Sequence, residues 1–78
     1  MEKLLIRFNT IEDVRNFVDI TSSAKSSVEL IQGNYSVDGK SIMGIFGLDL
    51  KETVTVLASG EDCSDLVKAL GRFAALES

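Results

Sequence analysis

Apolar and polar residues alternate from Lys3 to Phe8, with Leu4, Ile6 and Phe8 on one side and Leu5 and Arg7 on the other, which predicts a strand. Thr10 follows as a natural N-cap, with Glu12 and Asp13 suited to the positive end of a helix dipole. Ile11, Val14, Phe17, Val18, Thr21 and Ala24 then repeat at helical spacing, predicting an amphipathic helix over 11–22 that ends in the serines of "TSSAKSS". "SVELIQGNYSV" reads as a hairpin: Val28, Leu30 and Gln32 alternate against Glu29 and Ile31, and Gly33-Asn34 supplies residues tolerant of positive φ. After the turn "VDGK" a short helix is expected over 41–47, capped by Ser41 and kept short by Gly44 and Gly47. The β-branched run at 52–59 places Val54, Val56 and Ala58 on one face of a strand. Cys63, Leu66, Val67, Leu70, Phe73 and Ala74 form the stripe of a last helix over 62–76.

The order is βαββαβα, with no repeat, linker or low-complexity segment. Two amphipathic helices must bury their stripes on one face of a four-stranded sheet, which gives an α+β two-layer sandwich. With 78 residues the expectation is one domain over 1–78, burying about 60–65% of the surface its unfolded chain exposes.

Composition then removes function classes. A 45% hydrophobic, 26% charged chain argues against disorder. Twelve acidic against eight basic residues give a net charge of −4, which disfavours nucleic acid and anionic membrane surfaces as partners. The opening "MEKLLIRFNT" lacks the apolar core and cleavage site of a secretion signal, and no window reaches eighteen uncharged apolar residues, so a cytoplasmic protein is expected. One cysteine and no histidine exclude an internal disulfide, the usual metal clusters and Cys/His nucleophile pairs. Cys63 reads as a small buried residue, and no metal or cofactor is expected. Glu12 with Asp13, and Glu61 with Asp62 and Asp65, lie at predicted helix starts, where dipole and capping account for them better than paired-carboxylate catalysis.

The unusual stretch is "VDGKSIMGIFGLDL", Val37 to Leu50. A seven-residue helix spans only about 10 Å, yet Ile42, Met43, Ile45, Phe46, Leu48 and Leu50 are all apolar. Ile45 and Leu48 can face the sheet at helical spacing, which turns Met43, Phe46 and Ile42 outward. Either flanking segments cover them or they are a surface for another protein.

"GKSIMGIFGLDL", "TVTVLASGED" and "ALGRF" resemble the second half of HPr, the histidine-containing phosphocarrier of the bacterial sugar phosphotransferase system. The resemblance is strong from Gly39 to Asp62 and extends without gaps back to about Thr10. It implies an HPr-like open-faced sandwich with an antiparallel sheet in the order 1-4-2-3 and helices on one face. In that family a His-x-Arg-Pro motif at the start of the first helix receives phosphate from enzyme I; here Thr10 stands at the histidine's place, Glu12 at the arginine's and Asp13 at the proline's. The strand-to-helix loop is also a few residues shorter. Ser41 matches the regulatory serine that a kinase phosphorylates in many Gram-positive bacteria, and a phosphate there would have Lys40 beside it. Ile42, Met43 and Phe46 align with positions that HPr uses to dock onto partners. The resemblance thus implies a non-catalytic binding or regulatory module, docking through Lys40, Ile42, Met43 and Phe46, with a phosphotransferase-system enzyme, an HPr-type kinase or a transcriptional regulator as partner. The alternative is a structural, self-associating domain that uses the same patch.

Overall fold

The computed structural model describes residues 1–75. Its strands are β1 (Glu2–Ile6), β2 (Ser27–Gln32), β3 (Tyr35–Asp38) and β4 (Val54–Ser59), and its helices α1 (Ile11–Ser22), α2 (Ile42–Phe46) and α3 (Cys63–Ala69). One antiparallel sheet has the order β1-β4-β2-β3, as the resemblance implied. The register puts Val56 between Leu4 and Leu30, Val54 opposite Ile6 and Ala58 opposite Val28, so the apolar residues of three strands share the helix-covered face. That face and the helices close one core containing Val14, Phe17, Ile45, Leu48, Cys63, Leu66 and Leu70. Fully burying a side chain such as Phe17 contributes about 1.5–3 kcal/mol.

The hairpin turn is the two-residue Gly33-Asn34. Only Gly33 has positive φ, at 59°, the pattern of a type II′ turn; Asn34 does not need its tolerance. Strand ends differ by one or two residues from expectation. Lys51 and Glu52 belong to the turn before β4, where their backbone amides donate to Asp49.

Two expectations are corrected. Ile11 belongs to the periodic stripe but is 66% exposed. As the first residue of α1 its side chain leans back beyond the helix end, into a shallow groove with Thr10, Leu50 and Lys51, instead of onto the sheet. The last helix does not continue to 76: α3 gives way to a 3-10 turn at Leu70–Phe73, and residue 76 lies outside the described residues. Beyond the turn the chain runs antiparallel to β1, with Arg7 N–H donating to Phe73 O and Ala75 N–H to Leu5 O, both at 3.0 Å. Ala74, assigned to the helical stripe, is an exposed bridge partner of Ile6. Pairing with the free edge of β1 satisfies backbone groups that a longer helix would leave open.

This arrangement carries Phe73 to Phe8 and Phe17. Their ring centroids lie 6.2 and 5.7 Å apart, and Phe8 meets Phe17 edge-on at 5.2 Å. Such pairs add roughly 0.5–1.5 kcal/mol beyond area burial. They fix the short connection between β1 and α1, on which the first candidate site stands.

Candidate functional site

The connection from β1 to α1 is residues 7–10, and its tight path follows from Phe8 being buried one residue after Arg7 joins Phe73. Thr10 is extended, with φ −142° and ψ 165°, and its Oγ1 accepts the Asp13 N–H at 3.1 Å. Asp13 answers by accepting the Asn9 N–H on Oδ2 at 2.9 Å. The exchange is a capping box displaced by one residue. Its chemical result is specific: the anion that a helix N-terminus attracts is already present as the chain's own carboxylate, with exposed Glu12 beside it. The Thr10 hydroxyl oxygen is occupied as an acceptor, and no histidine exists anywhere in the chain to serve as a phosphate acceptor.

The second region is the start of α2. Gly39 precedes it in a buried position where an added Cβ would lie 2.4 Å from Val28 Cγ1, so close backbone approach requires glycine. Gly39 N–H donates to Val28 O, and its carbonyl accepts from buried Thr21 Oγ1, each at 2.8 Å. These bonds tie the turn to both β2 and α1. Ser41 then caps α2, its Oγ accepting Gly44 N–H at 3.2 Å. Lys40, expected beside Ser41 as a charge partner, instead donates from Nζ to Ala24 O at 3.0 Å, just beyond the negative end of α1. One of the three Lys40 ammonium donors is thereby committed to α1.

On α2 itself Ile45 is fully buried and Leu48 nearly so, while Met43 is 79% and Phe46 42% exposed. Ile42 is half-buried against the core. The outward turn expected from spacing is therefore observed for Met43 and Phe46 but not for Ile42, whose place beside the turn packs it on the core, and no described segment covers Met43. α1 and α2 pack against each other, so the capped start of α1 and the apolar face of α2 belong to one side of the fold. Exposed Ile11, which periodicity had assigned to the core, adds a large apolar side chain near Leu50. Its place at the first helical position was the available signal.

At α3, Asp62 does not cap its own helix. Its carboxylate accepts from the backbone amides of Lys25 and Ser26 at 3.0 and 2.9 Å, and from the Ser26 hydroxyl, across to the start of β2. The Ser26 hydroxyl first, and then the Lys25 amide, hold the Asp62 carboxyl below the usual carboxylate range. Among the described residues no group of three His, Cys, Asp or Glu side chains is arranged to hold a metal ion, and no helix is long and apolar enough to cross a membrane.

A family profile described as the PTS HPr component phosphorylation site matches residues 14–75. The match begins within α1, after Thr10 and Asp13. Among solved structures the chain is similar to HPr-C-His from Thermoanaerobacter tengcongensis, at 28% identity and a TM-score of 0.82 over 92% of this chain and 89% of that one. It is similar in fold to the phosphocarrier protein HPr from Bacillus anthracis, at 19% identity and a TM-score of 0.80 over 95% and 94%. It is also similar to the Bacillus subtilis catabolite repression containing protein Crh, described as a dimer with a swapping domain, at 28% identity and a TM-score of 0.69 over 87% and 79%. No curated protein matches the sequence.

Proposed function

Since this chain belongs to the HPr family, we propose that it is a non-catalytic member, a binding or regulatory module that is recognised by other proteins and cannot carry phosphohistidine. The observation that carries the reading is the pairing of two neighbouring regions. The start of α1 has no imidazole and fills its own anion position with Asp13, while α2 keeps Met43 and Phe46 in solvent. Large, adaptable apolar side chains exposed on a rigid element are suited to docking. Ile42 supports them from below, and Lys40 fixes the turn that presents them.

The proposed partners are proteins of the phosphotransferase system: an enzyme of the relay, an HPr-type kinase acting on Ser41, or a transcriptional regulator. Ser41 is half-buried at its cap. Incubation with such a kinase and ATP is expected to add one phosphate, read as intact mass and lost in Ser41→Ala; an unmodified mass removes this part of the proposal. For docking, titration of labelled protein with enzyme I or a catabolite-control regulator is expected to show saturable binding that Met43→Asp abolishes. Met43 is exposed, so the variant's own stability should stay within about 0.5 kcal/mol of the parent. Binding that persists in Met43→Asp defeats the docking reading.

A second reading, favoured by the exposure of Met43 and Phe46, is self-association through the same apolar face; the likeness to Crh, described as a dimer with a swapping domain, supports dimer formation but not the face used. Sedimentation distinguishes the two. A stable dimer that Met43→Asp and Phe46→Asp convert to monomer supports assembly over transient signalling.

A further inference from the structure

Arg7 and Arg72 come from opposite ends of the sequence and line one cleft, together with Asn9, Phe73, Ala74 and Ala75. They meet because Arg7 N–H donates to Phe73 O, which locks the end of β1 beside the 3-10 turn that carries Arg72. The Arg72 guanidinium lies over the Phe73 ring, 5.1 Å from its centroid, and that ring is held in the aromatic cluster with Phe8 and Phe17. One of the two cations is therefore oriented before any ligand arrives. Arg7 also lines the neighbouring groove, where Lys51 is the other cation.

No carboxylate lines either concavity among the described residues. That is unusual in a chain with twelve acidic and eight basic side chains. Arg7, Arg72 and Lys51, three of those eight, lie around the two concavities, and Asp13, an acid beside them, is held on the Asn9 backbone amide, so positive potential is concentrated here on a protein whose net charge is −4. Two guanidiniums supply more donors and charge than one carboxylate uses, but they suit the several oxygens and double charge of a phosphate monoester.

We infer that Arg7 and Arg72, with the Asn9 side chain, form a binding site for a phosphate group. The site adjoins the start of α1 through Asn9, whose backbone amide Asp13 holds, but its cations come from the end of β1 and the 3-10 turn, and it does not include Ser41 on α2. It holds phosphate without transferring it, and it does not depend on the docking reading above. The phosphate belongs either to a small molecule or to a phosphorylated protein side chain.

The test is an NMR titration at low ionic strength with inorganic phosphate, then with a short phosphoserine peptide, and with sodium acetate as the control anion. Saturable shifts are expected at the amides of Arg7, Asn9 and residues 72–75. Loss of a charge-assisted contact in Arg7→Gln or Arg72→Gln should weaken binding by about tenfold each. Lys51→Gln, which removes a cation of the neighbouring groove and no direct contact of the proposed site, should weaken binding less than either arginine variant. Tighter binding of the peptide than of phosphate assigns the ligand to a protein side chain, and equal binding assigns it to a small molecule. Both arginines are exposed, so thermal melting should show all three variants folded. Shifts that spread over every cationic surface, that survive the double arginine variant, or that acetate reproduces at the same concentration would overturn the site.

Discussion

At the start of α1, Thr10 accepts an amide proton while Asp13 and Glu12 bring negative charge to the first turn; at the start of α2, Ser41 makes the same cap with no acid behind it and sends Met43 and Phe46 into solvent. Both segments begin with a hydroxyl N-cap in extended conformation, and both rest on the same core. The local folding problem is solved identically in the two places. The difference lies in what remains free afterwards. The first helix start has consumed its own electrostatic potential, whereas the second leaves its apolar side chains uncommitted. The two starts therefore offer different things: at α1 a carboxylate of the chain itself already holds the amide before the helix, and at α2 apolar side chains stay exposed to solvent.

The comparison is broken most forcefully from inside α2. Ile45 is fully buried and anchors a helix of five residues, so Ile45→Ala should destabilise the protein by about 3 kcal/mol through lost burial and a residual cavity. Chemical denaturation measures it, and Met43→Ala, on the opposite face, should cost less than about 0.5 kcal/mol. Equal losses would mean that Met43 is packed and that α2 has no free face. The caps come next. Thr10→Ala and Ser41→Ala should each cost about 1 kcal/mol. A much larger loss at Ser41 than at Thr10 would show that the two starts are not built to the same standard.

Most of the fold was legible because periodicity and caps agree. The hydrophobic stripe from Val14 to Thr21 and the Thr10 cap locate α1, and the β-branched run locates β4. The failures share a cause. Ile11 obeys helical spacing, yet a first-turn side chain projects past the layer that the rest of the stripe covers. Ala74 obeys it too, but the free edge of β1 outcompetes another helical turn, a tertiary demand with no local signature. The outward face of α2 was readable from crowding alone, since one short helix cannot bury every side. The route of Lys40 to Ala24 and the meeting of Arg7 with Arg72 were not readable, because each depends on segments distant in sequence.

A third helix start sharpens the contrast through pH, with the smallest effect. Asp62, at the start of α3, spends its carboxylate on the Lys25 and Ser26 amides and the Ser26 hydroxyl, where Asp13 at α1 spends its own on nearby Asn9. Because these donors lower its carboxyl pKa in the folded protein, the unfolded state binds its proton more readily. The stabilisation is complete above the unfolded carboxylate value of about 4 and disappears as the pH falls below it through the lowered folded value. Asp62→Asn cannot titrate. Its stability, measured by thermal melting from neutral to strongly acidic pH, should fall less steeply in acid than that of the parent. Solvent screens this carboxylate, so the change in the acid limb should be slight beside the effects at Ile45 and at the two caps. A parent protein whose acid limb is unchanged by Asp62→Asn would show that the tie between α3 and β2 carries no proton-linked stability, and would leave the two hydroxyl caps as the only helix starts with a measurable energetic role.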